Sequence, residues 1–133
     1  MLHDLTIAVV VPCFNEGPLI RKVLNTMPES VDKIFVVDDA STDDTFCVVA
    51  SCADETPHRI VLLSHDANQG VGGAIATGYK AALAERFDVT VVMAGDAQMD
   101  PAELPAIVGP VARGECDYTK GNRLFSGEAW EMI

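Results

Sequence analysis

A chain of 133 residues with 49% hydrophobic and 22% charged side chains has the composition of one soluble globular domain and is too short for two. Twenty acidic against nine basic residues give a net charge of −11, which opposes phosphate backbones and anionic lipid surfaces and excludes nucleic acid as a partner. An anionic ligand must therefore be met locally, by a metal ion, a helix N-terminus or a few placed cations.

Apolar runs such as Ile7 to Val11 are far too short to span a bilayer, and no cationic segment precedes them, so the chain reads as cytoplasmic. The four cysteines, Cys13, Cys47, Cys52 and Cys116, have neither zinc nor redox spacing and read as reduced structural thiols. His3, His58 and His65 are scattered without a ligand spacing.

Thr6 to Val11 is a continuous β-branched run expected to form a strand buried on both faces, ended by Pro12, which has no N–H for a ladder. Leu19, Ile20, Val23, Leu24 and Met27 form the apolar stripe of a first helix, with Pro18 in its first turn and Pro28 closing it. Lys33 to Val37 predicts a second strand running into Asp38 and Asp39. Ser41 to Asp44 has the spacing of a capping box before a helical stripe of Thr45, Val48, Val49 and Cys52.

Ile60 to Leu63 reads as a third strand, Asp66 to Gly73 as a polar glycine-rich loop, and Ala74 to Arg86 as a helix carrying Ile75, Tyr79, Ala82 and Leu83 inward. Gly78 within that helix implies a close neighbour. Val89 to Met93 is a fourth strand. Asp100, Pro101 and Glu103 then open a helix reaching about Arg113, and Cys116 to Thr119 is a weaker strand before Lys120 to Arg123.

Alternating strands and helices predict an α/β fold of three layers, a mainly parallel sheet with right-handed crossovers flanked by helices on both faces. In such sheets ligands bind beyond the carboxyl ends of the strands. Those ends carry Pro12 to Glu16, Asp38 and Asp39, the Asn68 to Gly73 loop, Asp96 to Asp100, and Lys120 to Arg123.

Asp38 and Asp39 diverge after a buried strand, so one or both either accept hydrogen bonds from a base or ribose or receive N–H bonds from the following turn. Ser41, Asp43 and Asp44 read as capping residues. Asp96 and Gln98, two apart in an extended loop, offer oxygens on one side, as a hard divalent cation or a phosphate site requires, or else belong to a solvated turn. The Asn68 to Gly73 loop lacks the lysine and hydroxyl of a P-loop and follows the third strand, so no dinucleotide fingerprint is supported. Arg123 is a candidate bidentate phosphate partner.

Taken in order, Val11 to Glu16, Val36 to Asp43, Asn68 to Ala74, Gly95 to Pro101 and Gly121 to Arg123 resemble glycosyltransferase family 2, in the branch that looks like dolichol-phosphate mannosyltransferase. The resemblance covers Thr6 to about Phe125. It implies a fold of the GT-A type, inverting sugar transfer from a nucleoside-diphosphate sugar, and Mg2+ or Mn2+ as cofactor. It places Pro12, Phe14, Asn15 and Glu16 around the nucleotide, with Asp39 against the base and Asp38 beside it. Gly95 and Asp96 join the nucleotide site, Asp96 and Gln98 the metal, and Arg123 a phosphate.

Two positions of contrast stand out. Ala94 occupies the place where the family's metal motif begins with an acid, and the family's catalytic domain continues into an acceptor-binding half, often membrane-associated, beyond the length present here. The expectation is a single donor-binding domain over residues 1–133, with a polyprenyl-phosphate or saccharide acceptor. An apolar face where the acceptor half packs would drive homo-oligomer formation. The alternative is a catalytically incomplete nucleotide-binding or protein-interaction module of the same fold. A phosphoacceptor receiver domain fits worse, because its acidic pair follows the first strand.

Overall fold

The computed structural model describes residues 5–93. Within them the chain runs β1 (Ile7–Cys13), α1 (Gly17–Asn25), β2 (Lys33–Asp38), α2 (Thr45–Glu55), β3 (Ile60–Ser64), α3 (Gly70–Ala84) and β4 (Val89–Val92). The four strands form one parallel sheet in the order β3-β2-β1-β4. The expected helix from Asp100 and the strand Cys116 to Thr119 lie outside the described residues.

Side chains alternate across a strand, and the two faces of β1 divide accordingly. Ile7, Val9, Val11 and Cys13 face a core shared with Ile20, Val23 and Leu24 of α1 and Val49 and Cys52 of α2. Ala8 and Val10 face the opposite core with Phe35, Val37, Ala74, Ile75 and Ala82. Thus α1 and α2 cover one face and α3 the other. The chain steps outward from β1 to β3, then returns past β1 to β4, so the strand order reverses between β1 and β4.

The expected β-α order holds throughout the described residues, with four differences of detail. Pro12 does not end β1; it pairs with Val37 and lies inside the strand. Residues of a parallel strand bond alternate neighbours, and the Val10 carbonyl accepts from Met93 N on the β4 side. Pro12, two residues on, faces that same side beyond Val10↔Val92, the last β1–β4 pair among the described residues, so its missing N–H breaks none of their ladder bonds.

Helix α3 begins at Gly70 rather than Ala74, because the bonds its amide donates, to the distant Asp39 carboxylate and locally to Asn68 Oδ1, outweigh the poor helix propensity of its glycines. Gly70 has φ +83°, a conformation in which any other L residue is strained. Leu19 and Leu83, expected inward, are 40% and 67% exposed. On α3 the sheet-facing positions are instead Ala74, Ile75, Gly78 and Ala82. A Cβ on Gly78 would stand 2.2 Å from Val10 Cγ1, which is the close approach its sequence position implied.

Candidate functional site

Register sets the geometry of the carboxyl edge. Cys13 pairs with Asp38 and Asp38 with Ser64, so β1, β2 and β3 finish level with one another. The loops that leave them are tied together by side chains.

Asn15 sits at φ +55°, which asparagine tolerates better than most residues. Its Oδ1 accepts from Thr42 N at 2.8 Å, Asp43 N at 3.3 Å and the Thr42 hydroxyl at 3.3 Å, while its own N–H donates to Ser41 Oγ at 2.9 Å. Glu16 N donates to Thr45 Oγ1 at 2.9 Å.

Asp43 Oδ2 accepts from Gly17 N at 3.3 Å, and its Oδ1 accepts from Thr45 N at 2.9 Å and from the Thr45 hydroxyl. One carboxylate therefore meets the first amide of α1 and the first amide of α2. The Thr45 hydroxyl, followed by the amides, holds that carboxyl below its ordinary value. The local capping box expected from Ser41 to Asp44 is replaced by these bonds, most of which reach across to the β1–α1 loop.

Asp38 and Asp39 are both 3% exposed yet have different partners. Asp38 Oδ1 accepts from Ser41 N at 3.2 Å and from the Ser41 hydroxyl, the following-turn arrangement left open by its spacing. Among the described residues, nothing donates to its Oδ2.

Asp39 instead grips the β3–α3 loop. Its Oδ1 accepts from Gln69 N at 2.7 Å and lies 2.8 Å from His65 Nδ1, and its Oδ2 accepts from Gly70 N at 2.8 Å. Its backbone adds Asp39 N to Cys13 O at 3.0 Å and Asn68 Nδ2 to Asp39 O at 3.2 Å. Burial pushes the Asp39 carboxyl up, but the His65 hydrogen bond and the two amides outweigh it and hold the carboxyl below its ordinary value. Ala40, next in the chain, is held at φ +61°.

His65 was not marked by any ligand spacing in the sequence. The signal that finds it is placement: it directly follows the third strand, at the edge where such sheets bind ligands. The Cys13 thiol beneath these loops is pushed up to about 12, by burial first and then by Asp38, Glu16, Asp43 and Asp39.

Of the candidate site residues, the structure brings Pro12, Phe14, Asn15, Glu16, Asp38 and Asp39 together on the adjoining ends of β1 and β2. Phe14 is exposed at 44% and Pro12 is buried. Gly95, Asp96, Gln98 and Arg123 lie outside the described residues. No cluster of three or more His, Cys, Asp or Glu able to hold a metal ion occurs among the described residues. No helix among them is long and apolar enough to cross a membrane.

A parallel sheet with a strand-order reversal, covered by helices on both faces, defines the doubly wound α/β class, in which ligands bind beyond the carboxyl ends of the strands. The Glycosyl transferase family 2 model matches residues 8–131, and the chain belongs to that family. Its fold is of the GT-A type. A mannosyltransferase from Pyrobaculum calidifontis, solved in complex with GDP-Man and Mn2+, superposes with a TM-score of 0.69 at 28% identity, over 81% of this chain and 32% of that one. The glucosyl-3-phosphoglycerate synthase of Mycobacterium tuberculosis, in complex with Mn2+, UDP and glucosyl-3-phosphoglycerate, gives 0.63 at 28% identity, over 84% and 41%.

Among curated relatives, the UDP-N-acetylglucosamine–dolichyl-phosphate N-acetylglucosaminyltransferase of Methanococcus voltae is 28% identical over 92% of this chain and 54% of its own length. The undecaprenyl-phosphate mannosyltransferase of Micrococcus luteus is 29% identical over 91% and 49%. The chain spans about half the length of these two relatives.

Proposed function

We infer that this chain is a single donor-binding domain that holds a nucleoside-diphosphate sugar at the carboxyl edge of β1 and β2 and serves inverting glycosyl transfer. The observation that carries this reading is the pair of buried carboxylates, Asp38 and Asp39, with different bonding partners at the end of β2, the neighbour of the strand β1 that borders the strand-order reversal. Membership of the family and the nucleotide complexes of its structural neighbours support it.

A carboxylate offers about four lone-pair sites. Asp39 has three nitrogen partners, which leaves one site on Oδ2 for a ring N–H of the base. Asp38 Oδ2, facing no donor of the described residues, suits a second donor such as a ribose hydroxyl. Pro12, Phe14, Asn15 and Glu16 would flank the nucleotide, with Gly95 and Asp96 completing its site and Arg123 reaching a phosphate. Bonds across the two loops hold this edge before ligand arrives, which lowers the entropy cost of binding.

Asp96 and Gln98 would hold Mg2+ or Mn2+, which when bound neutralises charge on the departing diphosphate. A polyprenyl-phosphate acceptor is already an anionic nucleophile and needs little general-base help, whereas a saccharide hydroxyl needs a carboxylate. Ala94, in place of the family's first metal-motif acid, favours a second reading, nucleotide binding without turnover.

Thermal shifts with UDP, GDP and their sugars, with and without manganese, test the reading. A ligand at a hundred times its Kd adds about 2.7 kcal/mol of stability. No shift with any of them overturns the proposal. Asp96→Ala should remove the manganese-dependent part; an unchanged manganese-dependent shift in that variant refutes the role given to Asp96. Release of nucleoside diphosphate from the sugar donor in the presence of acceptor separates transfer from binding alone.

A further inference from the structure

We propose that His65 is a positioning residue for the nucleotide edge: through Asp39 it sets the β3–α3 loop and decides which carboxylate oxygen remains open to a ligand. This rests on the nucleotide-binding reading given above.

The His65 and Asp39 side chains are only 6% and 4% exposed, so the imidazole has few other places to turn. Ionised Asp39 is an acceptor only, so the 2.8 Å contact makes His65 Nδ1 the donor. The other ring nitrogen, Nε2, lies 2.8 Å from Thr77 Oγ1, and the Thr77 hydroxyl lies 3.0 Å from Gly73 O, to which it can donate. A continuous chain of bonds thus runs from α3 through the ring to Asp39 and on to the Gln69 and Gly70 amides that open α3. His65 N also donates to Asp38 O at 3.0 Å, which fixes the backbone from which the ring projects.

Three consequences follow for ligand recognition. With His65 on Oδ1, that oxygen is filled by the imidazole and Gln69 N, and the vacant acceptor site falls on Oδ2. The ring contact keeps Asp39 ionised, so the edge accepts a base N–H and rejects a carbonyl. The end of the β3–α3 loop and the start of α3 are held in the shape that this carboxylate dictates, through the Gln69 and Gly70 amides.

Two substitutions separate positioning from packing. The amide nitrogen of His65→Asn overlays Nδ1 and keeps the bond to Asp39; that of His65→Gln overlays Nε2 and keeps only the bond to Thr77. Nitrogen-15 NMR of the wild-type chain should show Nδ1 protonated and hydrogen-bonded; a ring protonated at Nε2 alone overturns the inference. Titration with UDP and GDP in the presence of manganese should give the Asn variant an affinity within about threefold of wild type. The Gln variant should bind about tenfold or more weakly, the scale of one lost hydrogen bond to an ionised group. Equal affinities for the two variants overturn the inference, since a packing role favours the larger Gln.

If the wild-type chain binds no nucleotide, the functional reading fails, and the positioning claim is decided separately by amide hydrogen exchange. Gln69 and Gly70 should stay protected in His65→Asn and lose protection in His65→Gln; equal protection in both overturns it.

Discussion

Gly78→Ala sets two effects of opposite sign against each other on α3. Helix propensity alone makes the change stabilising by about 1 kcal/mol. The added methyl, however, would lie 2.2 Å from Val10 Cγ1, 3.0 Å from Cγ2 and 3.1 Å from Cβ, on a fully buried side chain at the centre of the sheet. Val10 cannot swing away, being packed with Phe35, Val37 and Ala74, and so close an approach falls in the upper part of the range for overpacking, about 2–3 kcal/mol. The net expectation is a loss of about 1–2 kcal/mol, read as a lower midpoint in urea denaturation at unchanged slope. Val10→Ala alone should also destabilise, by about 2 kcal/mol for the two methyl groups and the space they leave. The double variant should lose less than the sum, by about 1–2 kcal/mol, because the alanine Cβ of residue 78 enters the space Val10 vacates. An unchanged or raised midpoint for Gly78→Ala, or strict additivity in the cycle, refutes the close approach of α3 to β1.

Ala40→Gly relieves a left-handed backbone at φ +61° and should stabilise the fold by about 0.5–1 kcal/mol after the entropy of the unfolded glycine is subtracted, read as a higher urea midpoint; a lower midpoint counts against that conformation. Asp39, Asp43 and Asp88 are all held below the ordinary carboxyl value of 3.8, the last chiefly by Thr6 N. Because their folded values lie below the unfolded one, their contribution is complete well above 3.8 and is lost as pH falls from that value through the folded ones, so stability should drop between about pH 5 and about pH 3. A flat or rising urea midpoint over that interval contradicts the sign. In a Cys116→Ser background, iodoacetamide should label exposed Cys47 first and leave Cys13, pushed up to about 12, unmodified until the chain unfolds; early loss of Cys13 in mass spectra argues against its burial.

Much of the described fold is legible in residue patterns, because β-branched runs such as Ile7 to Val11 and the stripe Ile20, Val23, Leu24 encode burial directly. The order of elements and the parallel sheet follow from their alternation. What local patterns do not carry is the partner of each polar group. Ser41 to Asp44 reads as a self-contained cap by spacing, yet Asn15, 26 to 28 residues away, donates to Ser41 and accepts from Thr42 and Asp43. Gly70 looks like loop until the Asp39 carboxylate that holds its amide is known. Pro12 looks like a strand end because which neighbour a residue faces depends on β4, which comes late in the chain. At the edge, residue types were visible and their division of labour was not: Asp38 serves its own turn, while Asp39 serves a distant one.

The sharing of Asn15 and Asp43 between two loops also constrains how the chain can vary in length. Surface connections ordinarily absorb inserted residues at little cost. One residue added after Asn15 or after Ser41 would carry a donor past its acceptor and uncouple the starts of α1 and α2 together. Insertions and deletions are therefore expected to be tolerated outside these two loops, for instance near Pro57 and His58, while the spacing from Pro12 to Gly17 and from Asp38 to Thr45 stays fixed.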